Sequence, residues 1–474
     1  MAIHIYNSLT RKKEEFVPLN PPQVNMYTCG VTVYDECHIG HARSLYIFDL
    51  IRRYLEYRGY KVHFVRNITD IDDKIINRAN ELKTPWDELV AKYIESYYQD
   101  LAALGLQKGV LDGPEEPRAT RNIEEIITLI RGLLDKGYAY SVDSGVYFSV
   151  RKFKPYGKLS GQGIEQMLTG VRKEADETKR DPLDFALWKK SKPEEPFWPS
   201  PWGDGRPGWH IECSAMSLKY LNTATLDIHA GGRDLIFPHH ENEIAQSEAW
   251  TGKPFANYWI HHGLLTINGQ KMSKSLGNFV TVKDALSRCF PDLLKIFYLQ
   301  AHYSHPIDFS WEKIEEAKKA YERVEILLGK LDKLPVSKEP PEGFSGETGD
   351  FQGFKERFIE SMDDDFNTPR ALAALFDTVN SCNKLLDSND VSKSAVLNYA
   401  RGLIKEMSGI LGLTFDRGGL SGISDQEVDK KINLRLGLRK EKKFHEADNL
   451  RKELEAAGII LEDTKEGTVW RRKV

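Results

Sequence analysis

Cysteine, long apolar runs and an excess of charge are all scarce in this sequence, and each shortage excludes a class of protein. Only five of the 474 residues are cysteine, and this odd, scattered set argues against a disulfide framework and for a reducing compartment. No apolar run reaches the roughly 20 residues that a membrane-spanning helix needs. The N-terminal segment lacks the apolar stretch and cleavage site of a secretion signal. We therefore expect a cytoplasmic protein without a membrane partner.

The net charge of −4 is too small to indicate or exclude a nucleic-acid partner, because local basic patches decide that question. Hydrophobic residues make up 41% and charged residues 29%, which is ordinary for a globular protein. A chain of this length is expected to form two to four domains and to bury a large core.

Three regions with different patterns follow one another along the chain. Residues 27–73 have the pattern of a strand, a helix and a second strand, which favours a parallel sheet that binds ligands at its carboxyl edge. We predict an α/β Rossmann-type core with a parallel sheet over residues 1–310. An α-helical bundle over 311–416 and a small C-terminal α+β module over 425–474 follow. Residues 334–353, rich in proline, glycine, serine and acidic side chains, are expected to be a mobile linker or an insertion.

The first motif is His38-Ile39-Gly40-His41, between the first strand and the helix of that unit. A helix N-terminus attracts phosphate through its unpaired N–H groups and the positive end of its dipole. Gly40 lets a ligand approach the backbone, and two imidazoles can donate hydrogen bonds to phosphate oxygens. An isolated tetrapeptide fits surface histidines beside a turn equally well. The strand–motif–helix context favours the phosphate-binding interpretation.

The second motif is Lys271-Met272-Ser273-Lys274-Ser275, with Asn268-Gly269 before it and Gly277 after it. Two lysines three apart in such a loop can close over a triphosphate and stabilise the charge that builds on pyrophosphate. A short lysine run by itself is more often a solvated loop. Both motifs together, in this order, are much more specific than either alone.

A metal site is a weaker inference from spacing. His239 and Glu243 are four residues apart after Pro238, so they would share one face of a helix that starts there. Cys29 and Cys213 are candidate thiolates, and sulfur with imidazole favours Zn²⁺. The two cysteines are remote from each other, however, and buried free cysteine is the more common outcome.

These motifs resemble the signatures of the class I aminoacyl-tRNA synthetases. Residues 38–41 match the HIGH signature and residues 271–275 match the KMSKS signature, both without substitution. The resemblance implies that His38 and His41 contact ATP phosphates and that Lys271 and Lys274 stabilise the transition state. The following residues are then expected to bind ATP: His38, His41, Gly232, Asp234 and Lys274.

The similarity is greatest to the cysteinyl-tRNA synthetase family and covers nearly the whole chain, including Asn67-Ile68-Thr69-Asp70-Ile71-Asp72-Asp73-Lys74 and Met362-Asp363-Asp364-Asp365-Phe366-Asn367-Thr368. It implies one Zn²⁺ per chain, which reverses the weak inference from spacing. The implied metal ligands are Cys29, Cys213, His239 and Glu243. The implied substrate-binding residues are Gly30, Thr69 and Trp209. It also implies a connective insertion at about 100–205 within the catalytic domain of residues 1–310.

By this resemblance the chain activates L-cysteine with ATP and Mg²⁺, then transfers it to the terminal adenosine of tRNA(Cys), as a monomer. Zinc would distinguish cysteine from serine, because a thiol ionises and binds zinc far more readily than a hydroxyl. The module over 425–474 would bind the anticodon, since it is rich in cations and carries an aromatic side chain. Its candidate contacts are Lys430, Lys431, Arg435, Arg439, Lys440, Lys442, Lys443, Trp470, Arg471 and Arg472.

Two other functions fit parts of the sequence. A ligase with the same core could hand cysteine to an amino sugar, but such an enzyme would not need the module after Ser424. A non-catalytic tRNA- or metal-binding protein would not need intact lysines and histidines in both signatures. A zinc protease is disfavoured because Ile244 follows Glu243 where a second histidine would be required.

Overall fold

The structure is a computed structural model that describes residues 2–109, 116–170, 178–273, 277–335, 347–387, 394–415, 425–441, 443–456, 459–464 and 467–472. In the first 310 residues the strands are β1 (His4–Asn7), β2 (Lys12–Glu15), β3 (Gln23–Thr32), β4 (Lys61–Thr69), β5 (Ala139–Val142), β6 (Gly145–Phe148), β7 (Phe185–Lys190), β8 (Gly205–Pro207), β9 (Leu226–Gly232), β10 (Ala256–His262), β11 (Leu265–Ile267), β12 (Gln270–Lys271) and β13 (Ile307–Phe309). The helices of this region are α1 (Ile39–Tyr57), α2 (Asp73–Leu82), α3 (Trp86–Ala103), α4 (Ile123–Asp135), α5 (Ile164–Gly170), α6 (Trp209–Tyr220), α7 (Glu241–Thr251), α8 (Val282–Leu286) and α9 (Pro291–Leu299).

The central sheet is parallel and has the order β10-β9-β3-β4. From β3 the chain crosses to β4 on one side and later returns to β9 on the other. The strand order therefore reverses between β3 and β9, and in such sheets this is the place where ligands bind. The predicted α/β Rossmann-type core with a parallel sheet is confirmed.

One irregularity in this sheet shapes the binding edge. Thr28 pairs with Arg66 and Val31 pairs with Ile68, so β3 holds one extra residue in the segment with Cys29 and Gly30. Such a bulge bends a strand and redirects a side chain. A Cβ atom on Gly30 would lie 1.6 Å from the carbonyl oxygen of Asn67, so only glycine fits this close backbone approach.

The helical bundle follows the core and packs against the helix that carries the first signature. Its helices are α10 (Trp311–Leu331), α11 (Glu347–Asp363), α12 (Thr368–Asp387) and α13 (Ser394–Ile410). The Tyr46 hydroxyl on α1 donates to the Leu411 carbonyl at 2.6 Å, and the Tyr54 hydroxyl donates to Asp363 at 2.6 Å. The prediction of a linker over residues 334–353 is wrong at its end, because 347–353 form the first turns of α11 around buried Phe351. The rest of that segment, 336–346, lies outside the described residues.

The C-terminal module has a small core of its own. Its elements are α14 (Asp425–Lys440), α15 (Phe444–Ala456) and the antiparallel hairpin of β14 (Ile459–Thr464) and β15 (Gly467–Arg472). Val428, Leu454 and Ile459 are fully buried between them. This is the predicted small α+β module.

Candidate active site

A cavity of about 590 Å³ opens at the carboxyl ends of β3, β9 and β10, where the strand order reverses. Most of the predicted site residues in the described part of the chain line it. Those residues are Cys29, Gly30, His38, His41, Trp209, Gly232, Asp234 and Lys271. The cavity therefore brings both signatures and one predicted metal ligand to the same space.

The two histidines of the first signature are arranged by the start of α1. The Nδ1 atom of His38 caps the helix, accepting hydrogen bonds from the backbone N–H of Gly40 at 3.1 Å and of His41 at 3.2 Å. The Nδ1 atom of His41 accepts in turn from the His38 N–H at 3.4 Å. The two rings stack with centroids 3.7 Å apart. This hydrogen-bond network assigns the ring proton of both imidazoles to Nε2.

Burial keeps both imidazoles neutral. It lowers the pKa of His38 to about 4, and it lowers the pKa of His41 well below its usual range, with the neighbouring His38 adding to the effect. Each ring then offers one Nε2–H donor to an anion in the cavity. Position 40 is crowded, because a Cβ atom there would lie 2.9 Å from the His38 ring and from the Met272 methyl group.

The second signature begins in the last strand of a tight hairpin, formed by β11 and β12. Asn268 and Gly269 join β11 to β12 with φ values of 53° and 71°, the left-handed turn that Asn-Gly pairs favour. The Gly269 N–H donates to Asp308 on β13 at 2.8 Å, which fixes the turn. Lys271 follows and is 71% exposed, with its Nζ atom 3.6 Å from Asp234 across the cavity mouth. Lys274, the other predicted catalytic lysine, lies outside the described residues.

The four predicted metal ligands converge at the base of the cavity. Their donor atoms all lie within 4.8 Å of one another, although they come from four different elements. Cys29 comes from the bulge of β3, Cys213 from α6, His239 from the helical turn Ile236–His240 and Glu243 from α7. Two sulfurs, an imidazole and a carboxylate form a donor set that fits tetrahedral Zn²⁺.

The Glu243 carboxylate is the centre of this cluster and is fully buried. One of its oxygens lies 2.9 Å from His239 Nε2 and 3.3 Å from Cys29 Sγ, and the other lies 2.7 Å from His229 Nε2. Burial favours its protonated form, but His229 and His239 outweigh burial and hold the pKa of Glu243 well below its usual range. The carboxylate is therefore ionised.

The surroundings of the Cys213 thiol favour its ionisation. Burial opposes ionisation of Cys213, but a hydrogen bond from Cys29 and the charge of His239 lower the pKa of Cys213 to about 6. Burial and the Cys213 sulfur raise the pKa of Cys29 well above its usual range. Metal cations bind the deprotonated forms of these side chains. The surroundings thus favour the anionic forms of Cys213 and Glu243, and, against the effect of burial, these two neighbours in turn raise the pKa of His239 to about 10.

Several buried histidines that the sequence analysis did not identify surround the cluster. The donor atoms of His229 and His240 lie within 4.8 Å of those of Cys29 and Glu243. His240 Nδ1 is 2.8 Å from His261 Nε2, which extends the network away from the cavity. His229 lies between Ile228 and Ala230 in β9, so a polar side chain at this place in a strand of the binding edge was the available signal.

The predicted amino-acid pocket is only partly at the cavity surface. Trp209 lines the cavity and lies against His239, with ring centroids 4.4 Å apart. Gly30 also lines it. Thr69 is 2% exposed and donates to the buried Glu212 carboxylate at 2.9 Å, so its hydroxyl supports α6. The substrate contact of Thr69 stays a prediction.

The basic segment of the C-terminal module is less open than its sequence indicates. Arg435 is 2% exposed and lies 3.4 Å from Thr468, so it belongs to the module's interior. Lys431 pairs with Glu453 at 3.0 Å. Trp470 donates to Asp429 at 2.8 Å. Lys442 lies outside the described residues, as do the side chains of Lys440, Arg471 and Arg472.

The helices that the structure describes include none long and apolar enough to cross a membrane.

Comparisons with known proteins agree with this architecture. Residues 15–319 match the family model "tRNA synthetases class I (C) catalytic domain", and residues 357–416 match the DALR domain. The chain is 50% identical to the cysteine–tRNA ligase of Persephonella marina over the full length of both proteins. It is 49% identical to that of Aquifex aeolicus, with 100% of this chain and 99% of the relative covered.

Solved structures show the same fold at low sequence identity. A methionyl-tRNA synthetase of Mycobacterium tuberculosis with bound methionyl-adenylate matches with a TM-score of 0.59 and 17% identity, covering 82% of this chain and 90% of that one. A leucyl-tRNA synthetase from Agrobacterium radiobacter matches with a TM-score of 0.59 and 12% identity, covering 84% and 86%.

Proposed function

Since the chain belongs to the cysteine–tRNA ligase family of class I tRNA synthetases, we propose that its buried Cys–His–Glu cluster holds one zinc ion that selects cysteine. The enzyme is an ATP-dependent ligase that joins its amino acid to tRNA. Similarity over the full length of tRNA ligases also disfavours the amino-sugar acceptor and the non-catalytic protein.

Cys29, Cys213, His239 and Glu243 are the proposed zinc ligands. When bound, zinc supplies a soft Lewis acid that stabilises a thiolate and prefers it to a hydroxyl. The protein contributes a thiolate at Cys213, an ionised carboxylate at Glu243 and a second imidazole, His229, which orients that carboxylate. A shaped pocket alone separates near-isosteres such as cysteine and serine by only roughly 10–200-fold. Greater selectivity therefore requires direct contact between the metal site and the substrate sulfur.

The wall of the cavity formed by the start of α1 binds the phosphates of ATP, which enters together with Mg²⁺. His38 and His41 donate Nε2–H hydrogen bonds to phosphate oxygens from the start of α1, where the helix dipole also favours anions. Lys271 and Lys274 stabilise the charge that develops on pyrophosphate as the cysteine carboxylate attacks the α-phosphate. Gly232 and Asp234, at the end of β9, contact the adenosine end. The main catalytic contributions are positioning and charge stabilisation.

The second step uses the same cavity. A ribose hydroxyl of the terminal adenosine attacks the cysteinyl adenylate and releases AMP. Gly30, Thr69 and Trp209 are the proposed residues of the amino-acid pocket. The C-terminal module, over residues 425–474, is the proposed anticodon-binding part of a monomer that acts on tRNA(Cys), and its cations supply the electrostatic attraction.

One observation carries this proposal: two thiol sulfurs, an imidazole and a carboxylate converge at the base of a cavity whose mouth holds both signatures. The test is ATP–pyrophosphate exchange with cysteine or serine, together with zinc analysis of the purified enzyme. We expect one zinc per chain, exchange with cysteine, and a preference over serine well beyond 200-fold. Exchange with serine at nearly the cysteine rate in zinc-loaded enzyme would refute the selection mechanism.

A further inference from the structure

A buried guanidinium lies directly beneath the first signature. Arg43 follows His41 by two residues on α1 and is 0% exposed. Its hydrogen bonds in the described structure all go to backbone carbonyls: Gly263 at 2.7 Å, Leu264 at 3.1 Å, Tyr303 at 3.2 Å and His305 at 2.7 Å. Burial lowers the pKa of Arg43 to about 10, which still leaves it charged at neutral pH. A buried cation without a carboxylate partner is costly, so its retention calls for a reason.

The carbonyls that Arg43 binds lie where the chain enters the β11–β12 hairpin, which ends at Lys271, the first residue of the KMSKS signature. Gly263 and Leu264 form the short link from β10 to β11, the first strand of that hairpin. Tyr303 and His305 lead into β13, which pairs with β11. Arg43 therefore connects the chain before β11 and the chain before β13 to the first turns of α1. A Cβ atom on Gly263 would lie 2.2 Å from the carbonyl carbon of His305, so the two segments are in tight contact at this point.

The returning end of the KMSKS segment is attached to the same helix by backbone pairing. The Ile39 N–H donates to the Val280 carbonyl at 3.1 Å, and the Val282 N–H donates to the Cys37 carbonyl at 2.8 Å. His38 pairs with Thr281 in the same bridge. The segment that holds Lys271 and Lys274 is thus attached to α1 at both of its ends. Arg43 supplies the attachment at the N-terminal end, through Gly263 and Leu264.

We propose that Arg43 is a positioning residue for adenylate formation. It fixes the N-terminal end of the segment 263–282, which contains the KMSKS signature, so that Lys271 faces the His38–His41 pair. This inference rests on the proposed function, because it assumes that the lysines act on pyrophosphate. Guanidinium suits the task, since its planar array of N–H donors reaches four carbonyls of two segments at once. A lysine ammonium donates from a single atom and cannot span the same set.

The test compares Arg43→Met with Arg52→Met. Arg52 is a matched control because it lies on the same helix, its side chain is only 7% exposed, and its ion pairs with Asp49 and Glu56 stay within that helix. For Arg43→Met we expect the kcat of pyrophosphate exchange to fall by about 100-fold, with the KM for cysteine within about threefold, because a small displacement of catalytic groups costs this much. Hydrogen exchange should become faster in residues 264–271 and stay unchanged in 280–282. Arg52→Met should leave both readouts near wild type.

Arg43→Lys covers the case in which Arg43→Met does not fold. It should keep the fold, lose exchange activity by about tenfold and show the same local increase in hydrogen exchange. Wild-type kcat in either folded Arg43 variant, or an equal loss in Arg52→Met, would overturn the positioning role. Lys271→Ala separates the two proposals. If Lys271→Ala kept full exchange activity, the proposed function itself would fail, whereas a normal Arg43 variant beside an inactive Lys271→Ala refutes only this inference.

Discussion

The base and the mouth of the cavity are built in opposite ways. At the base, the four proposed ligands come from four separate elements, and three of them are buried while Cys29 is half-buried at the cavity wall. Charged neighbours shift the pKa values of Cys213 and Glu243 towards ionisation. At the mouth, the histidines come from one helix start, and Lys271 is 71% exposed beside a single carboxylate at 3.6 Å. A largely buried base suits recognition of one atom, whereas an exposed cation suits a triphosphate that enters and a pyrophosphate that leaves. Amino-acid selection and phosphate chemistry should therefore be separable by mutation.

The largest effect is expected from the lysines at the mouth. Lys271→Ala and Lys274→Ala should each lower pyrophosphate exchange by about 100- to 1000-fold, because each removes a cation that acts on the transition state. Cysteine binding to the base should stay within about twofold, measured by equilibrium dialysis with labelled cysteine. A large loss of cysteine binding in either variant would show that base and mouth are not independent.

Cys213→Ser should damage the base in the complementary way. Replacing a thiolate ligand weakens zinc binding, so zinc content should fall and the preference for cysteine over serine should drop to roughly 10–200-fold. Cys382→Ala is the control, since Cys382 is buried in the helical bundle far along the chain from the ligands. If Cys213→Ser kept its zinc and its selectivity, the assignment of Cys213 as a ligand would be wrong.

A moderate loss of stability without loss of selectivity is expected at Glu241. This residue sits between His239 and Glu243 in the sequence but points away from the cluster, accepting from the N–H groups of Gly157 at 2.9 Å and Ser160 at 2.8 Å. Both carboxylate oxygens accept backbone N–H bonds, so Glu241→Gln places an NH2 group against an N–H donor and should cost about 1–3 kcal/mol. Thermal unfolding should shift to lower temperature while zinc content stays at one per chain. Loss of zinc would mean that the base depends on this anchor.

The smallest effect concerns a carboxyl group in the scaffold on the mouth side. Burial raises the pKa of Asp100 on α3 to about 6, with Lys283 opposing and Glu36 adding to the shift. Because the folded pKa lies above the unfolded value, the folded state binds the extra proton, and stability falls as pH rises from about 4 to 6. Asp100→Asn should therefore raise the melting temperature at pH 7–8 and lose this advantage towards pH 4. An advantage that does not depend on pH would contradict this explanation.

The mouth could be predicted from sequence because its chemistry is local. His38 is the N-cap of α1 and His41 its third residue, shortly after β3, and the Asn268-Gly269 turn marks the hairpin before Lys271. The C-terminal module shows the limit of the same approach. A run of cations predicts an exposed surface, but Arg435 packs into the interior, since helical periodicity turns one residue of the run inward.

The base could not be predicted from spacing, because its residues are separated by up to about two hundred positions and meet only through the strand order β9-β3-β4. Spacing and residue type made Cys29, Cys213, His239 and Glu243 weak candidates, and the family resemblance was needed to join them in one site. The place of His229 in a strand marks it as a candidate at most, and nothing in local sequence shows that His229 and His240 share a cluster with the four ligands. Arg43 was missed for a similar reason: its four acceptors are backbone carbonyls, and backbone carbonyls leave no mark in a sequence.

The most direct test of the account is spectroscopy of enzyme in which cobalt replaces zinc. Thiolate coordination to cobalt gives a charge-transfer absorption, so the signal should increase when cysteine is added and stay unchanged with serine at the same concentration. The Cys213→Ser variant should show a weaker signal before any amino acid is added. If wild-type enzyme bound no stoichiometric zinc or cobalt, or if cysteine left the absorption unchanged, direct recognition of the substrate sulfur by a metal would be refuted.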